Sequence, residues 1–73
     1  MTRKECTIRF GKRLRELRLK NGNTLQEIAE AVGLRHRQAI EQYEKGRCSP
    51  TLYTLIKLAD YFNVTLDNLV GKK

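Results

Sequence analysis

The chain has too few of the residues from which metal sites, disulfide frameworks and covalent catalysis are built. Cysteine occurs twice, at Cys6 and Cys48, and histidine once, at His36. There is no C-x-x-C pair and no Cys/His cluster, which argues against a zinc site or a disulfide-stapled fold. Two isolated cysteines read as thiols in a reducing cytosol. Neither they nor His36 has a partner at catalytic spacing, so no enzymatic activity, metal or cofactor is expected. No apolar run is long enough for a signal peptide or a membrane span, so a cytoplasmic location is expected. Repeats, linkers and low-complexity stretches are missing too. What remains is a chain of 73 residues, room for one domain that buries only about 60% of its unfolded surface.

Charge is what the chain has in excess. Fifteen Lys and Arg against eight Asp and Glu give a net +7 and a pI near 9.9. Such a balance bears on partners and association rates, not on fold. Its placement is more telling. Eight basic residues lie between Arg3 and Lys20 against Glu5 and Glu16 alone, and Asn21 to Leu34 is net acidic. Arg35 to Arg47 is basic again.

The apolar spacing is helical throughout. Phe10, Leu14 and Leu17 recur at i, i+4, i+7 and predict a first helix from about Ile8 to Lys20, closed by Asn21-Gly22. Residues 1–7 are left as an N-terminal arm. Thr24 is an N-cap for a second helix, with Glu27 completing a capping box. Its inner face is Leu25, Ile28, Ala29 and Val32, and Gly33 supplies a left-handed turn at its end. A third helix is predicted over about 36–45, with Ile40 and Tyr43 inward and Gly46 as its stop. Thr51 then caps a fourth, with Leu52, Leu55, Leu58, Ala59 and Phe62 as its stripe. Thr65 caps a short fifth that holds Leu66, Leu69 and Val70. The expected fold is all-α, five short helices over residues 8–71.

The third helix carries the functional signal. Its outward row is Arg37, Gln38, Glu41, Gln42 and Lys45, opposite Ile40 and Tyr43. A helix fits the DNA major groove, where Arg matches guanine O6/N7 and Gln matches adenine N6/N7. The first turn holds Arg35, His36 and Arg37 with no Ser, Thr, Asp or Asn cap. Cations at a helix N-terminus oppose the macrodipole, at a few tenths of a kcal/mol each. A bound phosphate reverses that sign, accepting from the open N–H groups and neutralising the arginines. The cluster of Arg35, His36 and Arg37 therefore reads as anion-binding, and the outward row with Arg37, Gln38, Glu41 and Gln42 as a base-reading face.

Several stretches, in order and at matching spacing, resemble the Cro/repressor type of helix-turn-helix DNA-binding domain, a five-helix, lambda-repressor-like fold. They are R-E-L-R at Arg15 to Arg18, T-x-x-E-I-A ending at Ala29, the Gly33 turn and I-E-Q-Y-E-K-G from Ile40 to Gly46. Pro50 and L-x-x-L-A-x-x-F-N-V-T-L-D-N-L from Leu55 to Leu69 complete the set. The resemblance covers about residues 8 to 71. It implies a sequence-specific transcriptional regulator, most simply a repressor, bound to double-stranded DNA as a homodimer. Its two half-sites would lie roughly 34 Å apart in a palindromic operator. It also implies an ion pair between Arg18 and Glu44, and phosphate contacts at Thr24, Gln26, Lys45, Arg47, Ser49 and Thr51, which position without specifying. Tyr53, Tyr61 and Val70 fall largely off the core stripe and are dimer candidates. No small-molecule ligand, membrane contact or second, ligand-binding domain is expected.

Two departures from the family pattern stand out. Gly33 and Glu44 are one residue further apart than usual, which either enlarges the turn among Leu34, Arg35 and His36 or starts the helix one residue earlier. In the first case the family's reading positions fall on Arg37, Gln38 and Gln42, with Arg35 and His36 as phosphate ligands; in the second that division moves by one position. Where many members carry a phosphate-binding Gln, this chain has Leu25, leaving Gln26 as the substitute. Other classes remain on the same residues. A protein-interaction module such as an antitoxin or adaptor would use this fold with weak, sequence-indifferent DNA binding. Binding of the basic first helix to a membrane surface would compete with its core face.

Overall fold

Thr2 begins the helical structure. The computed structural model describes residues 2–70, which form five α-helices and, among the described residues, no strand. They are α1 (Arg3–Lys20), α2 (Leu25–Ala31), α3 (Arg37–Glu44), α4 (Leu52–Phe62) and α5 (Leu66–Leu69). α1 starts five residues before the position set by its apolar spacing, so within the expected arm over residues 1–7, Thr2 is a helix cap and Arg3 to Thr7 are the first turns of α1, while Met1 lies outside the described residues. The reason is a capping box: Thr2 Oγ1 accepts from the Glu5 N–H at 3.1 Å, and Glu5 Oε1 accepts from the Thr2 N–H at 3.0 Å. That reciprocal pair satisfies two otherwise orphaned donors. The expected domain end at residue 71 lies outside the described residues.

The core takes one anchor from each helix. Leu14, Ile28, Ile40, Leu58 and Leu69 are fully buried, one from each of α1 to α5 in order. Phe10 and Tyr43 meet edge-on with ring centroids 6.1 Å apart, joining α1 to α3. Burial of side chains this size is worth roughly 1.5–3 kcal/mol each, so a small set can hold a small domain. α5 is tied back to α1 by Arg13, whose Nε donates to the Asn68 carbonyl at 3.1 Å.

α1 and α3 approach so closely that one residue decides whether they can. A Cβ at Gly11 would overlap the Tyr43 carbonyl oxygen and lie 2.9 Å from that of Glu44. Glycine inside a helix costs about 0.5–1 kcal/mol relative to alanine. Here it lets the C-terminal end of α3 rest on the flank of α1. A glycine interrupting an apolar helical repeat was the sequence signal for this contact.

One stripe position differs from expectation. Leu52 is 68% exposed, because the core side of α4 is set by Thr54, Leu58 and Ala59, and the first residue of the helix lies beyond it. Leu66 is also exposed; within α5 only Leu69 is buried.

Candidate nucleic-acid interface

The α2–turn–α3 unit is assembled from strong local signals at one end and none at the other. Thr24 Oγ1 accepts from the Glu27 N–H at 3.1 Å, and Glu27 Oε1 accepts from the Thr24 N–H at 2.7 Å. That backbone donor holds the Glu27 carboxyl below its ordinary pKa, since hydrogen bonds to the charged form favour it. At the other end of α2 the Leu34 N–H donates to the Ala29 carbonyl at 2.8 Å. The Gly33 N–H donates to Glu30 at 3.2 Å. Gly33 has φ +78°, a conformation that costs a side-chain-bearing residue and closes the helix.

Leu34, Arg35 and His36 then lead into α3, which starts at Arg37 and runs unbroken to Glu44. α3 thus begins one residue after the expected start at about His36, with Leu34, Arg35 and His36 ahead of it. His36 is the N-cap, extended at φ −127° and ψ 133°, and its side chain makes no capping hydrogen bond. Arg35, His36, Arg37 and Gln38 are exposed, and Glu41 and Gln42 half-buried, on the face opposite buried Ile40 and Tyr43. Glu41 lies 3.7 Å from Lys45, an exposed pair of a kind worth little to stability. The structure thus brings all four expected base-reading residues onto one helix.

That helix is braced from behind. Arg18 Nε donates to Glu44 Oε2 at 2.6 Å, and its Nη2 donates to Oε1 at 3.1 Å. A third donor, Nη1, reaches the Asn23 carbonyl at 3.1 Å. The two side chains are 13% and 7% exposed. The Glu44 hydrogen bond raises the guanidinium pKa further. A bidentate, largely buried fork of this kind fixes geometry as well as charge, and it sets α3 against both α1 and the α1–α2 turn.

The expected phosphate ligands divide into two groups. Arg35, His36 and Arg47 are exposed, and none makes an ion pair among the described residues. The others already have structural roles. Thr24 Oγ1 caps α2, and Thr51 Oγ1 accepts from the Thr54 N–H at 3.2 Å to cap α4. Gln26 Nε2 donates to Glu30 at 3.1 Å, and Ser49 Oγ lies 3.0 Å from Thr7 Oγ1. Of the dimer candidates, Tyr53 is 65% exposed, with Lys57 Nζ 5.6 Å from its ring centroid. Tyr61 accepts from Asn23 Nδ2 at 2.9 Å, and Val70 is half-buried against the core. Sequence reasoning missed the apolar face that Leu52 and Ile56 form with Tyr53. Ile56, three residues after Tyr53 and off the core stripe, was its only sequence signal.

No group of three or more His, Cys, Asp and Glu residues among those described could hold a metal ion. None of the described helices is long and apolar enough to cross a membrane.

Comparison with known proteins places this arrangement among relatives. A family model described as helix-turn-helix matches residues 14–69. The HTH-type transcriptional regulator ImmR of Bacillus subtilis (strain 168) is 40% identical over 63 residues, covering 86% of this chain and 49% of its own length. The cryptic phage CTXphi transcriptional repressor RstR of Vibrio cholerae is 34% identical over 62 residues, covering 85% and 55%. The chain therefore spans about half the length of these two relatives. Among solved structures, the restriction-modification controller protein C.AhdI from Aeromonas hydrophila superposes with a TM-score of 0.78 at 32% identity. That match covers 86% of this chain and 94% of the other.

Proposed function

The chain belongs to the helix-turn-helix family, and from that premise we propose that it is a sequence-specific DNA-binding regulator of transcription, a repressor that reads its operator with α3. The named relatives are transcriptional regulators rather than enzymes, which agrees with the absence of a catalytic constellation in the sequence. The observation that carries the reading is the contrast between the two sides of α3. Ile40, Tyr43 and the Arg18–Glu44 fork anchor one side, while the other carries exposed Arg37 and Gln38 and half-buried Glu41 and Gln42. In the major groove Arg37 would take guanine, Gln38 and Gln42 adenine, and Glu41 the amino group of cytosine.

Phosphates would be held by Arg35 and His36 at the start of α3 and by Lys45 and Arg47 after it. The hydroxyls of Thr24, Ser49 and Thr51 and the amide of Gln26 would add contacts while keeping their structural bonds. Such contacts set register on the duplex. We place the dimer contact on α4 and α5, where Leu52, Tyr53, Ile56 and Leu66 are exposed and Val70 is half-buried. Tyr61, already bonded to Asn23, would border that face. A twofold dimer pairs with a palindromic operator whose half-sites are about one helical turn apart.

Selection of bound sites from random duplex DNA tests this directly. The wild type should enrich a palindrome, and Arg37→Ala and Gln42→Ala should each relax preference at particular bases, by about 1–3 kcal/mol per lost bidentate contact. Absence of any enriched sequence with the wild type would contradict the proposal.

A further inference from the structure

The basic residues of α1 are not spread evenly, and the loop that follows α3 shows which of them have a common neighbour. That loop lies along the first half of α1. Ser49 Oγ is 3.0 Å from Thr7 Oγ1, and Gly46 rests on Ile8 so closely that a Cβ there would sit 3.0 Å from Ile8 Cγ1. Further along α1, Gly11 carries the C-terminal carbonyls of α3. These contacts mark one side of α1 as facing α3 and its loop.

On a helix, residues three and four apart share a face. Lys4 lies one turn before Thr7 and Ile8, and Arg15 lies one turn after Gly11 and two after Ile8. Both are exposed, and neither makes an ion pair among the described residues. They therefore flank the place where the loop carrying Lys45, Arg47 and Ser49 crosses α1. Lys12, one turn after Ile8, stands behind them on the outer side. The acids nearby are otherwise engaged: Glu5 in the Thr2 capping box and Glu16 with Arg13. On the far side of α1, Arg13 is turned to Asn68 of α5, so the basic ridge and the α5 side are separated by the width of the helix.

We propose that Lys4 and Arg15 are additional DNA-backbone ligands, which extend the phosphate track of the α3–α4 loop along the side of α1. The helical start created by the Thr2–Glu5 capping box is what holds Lys4 there; in a flexible arm the same lysine would have no fixed relation to Arg47. This assignment rests on the DNA-binding reading above and adds to it a contact that is independent of base sequence. Each phosphate neutralised on duplex DNA contributes about 0.9 to the slope of log affinity against log salt concentration.

The test compares two variants of equal charge in the full chain. Lys4→Gln/Arg15→Gln removes the ridge, and Lys20→Glu changes the charge by the same two units on the opposite side of α1. Affinity for the selected duplex is titrated across salt concentrations. The ridge variant should lower the slope by about two units and weaken preferred and non-preferred duplexes by the same factor, while the control keeps the wild-type slope. Equal slopes for both variants, with the wild type still binding in a salt-dependent way, would overturn the ridge assignment and leave the α3 reading intact. A wild type that shows no salt-dependent affinity for any duplex would overturn both.

Discussion

Thr24 and His36 occupy the same position in successive helices, and they are built in opposite ways. Thr24 and Glu27 exchange two hydrogen bonds at the start of α2. His36 makes no side-chain bond at the start of α3 and stands between two arginines. The contrast extends over the molecule, because α1, α4 and α5 are also capped by threonines: Thr2, Thr51 and Thr65. Four helices are finished for stability by the same residue type, and α3 is left open with positive charge around its N-terminal N–H groups. An N-cap of Ser, Thr, Asp or Asn is worth about 1 kcal/mol, which a small domain can use. Leaving it out on one helix only is intelligible if another group completes that terminus, and a phosphate does so in both charge and hydrogen bonding.

If α3 is held from its other end instead, the largest loss should come from there. Glu44→Ala leaves the Arg18 guanidinium largely buried without its acid. Breaking one side of a buried pair costs about 3–5 kcal/mol, a large part of the stability of so small a domain. Thermal unfolding followed by circular dichroism should show most of the fold lost at ambient temperature. Arg18→Met/Glu44→Met should recover a substantial part of that loss, since the penalty lies in the unpaired charge. A Glu44→Ala domain that melts within a few degrees of the wild type would mean that α3 does not depend on the brace.

A smaller effect sharpens the comparison at the capped end. Thr24→Ala should cost about 1 kcal/mol, a fall of roughly 4–8 °C in Tm for a domain of this size, with sequence preference on DNA unchanged. Loss of sequence preference without loss of stability would place Thr24 among the readers rather than among the caps.

The parts of this account that were legible in the sequence are those that short-range physics decides. The Thr24–Glu27 capping box, the Gly33 turn and the inward phase of Ile40 and Tyr43 depend on residues within a few positions of one another. The Arg18–Glu44 contact came through the family resemblance, and its bidentate geometry only from the structure. The arm that proved to be helix was a misjudgement of the same short-range kind, because Thr2 and Glu5 spell a capping box as clearly as Thr24 and Glu27 do. Apolar spacing had set the helix start, and polar residues decided it. Leu52 fits the stripe of α4 by spacing, yet its burial depends on whether another helix reaches it, which no local pattern encodes. Gly11 belongs to the same class: its meaning lies in the Tyr43 and Glu44 carbonyls, more than thirty residues away in the chain.

The open terminus of α3 is the central claim, and His36→Asp tests it most directly. Aspartate in this extended N-cap would satisfy the α3 N–H groups, complement the macrodipole and face Arg35 and Arg37. The account predicts a variant more stable by about 1 kcal/mol that binds every duplex more weakly, with a flatter salt dependence, because the carboxylate now stands where a phosphate would. A variant that is no more stable than the wild type and binds DNA equally well would contradict it.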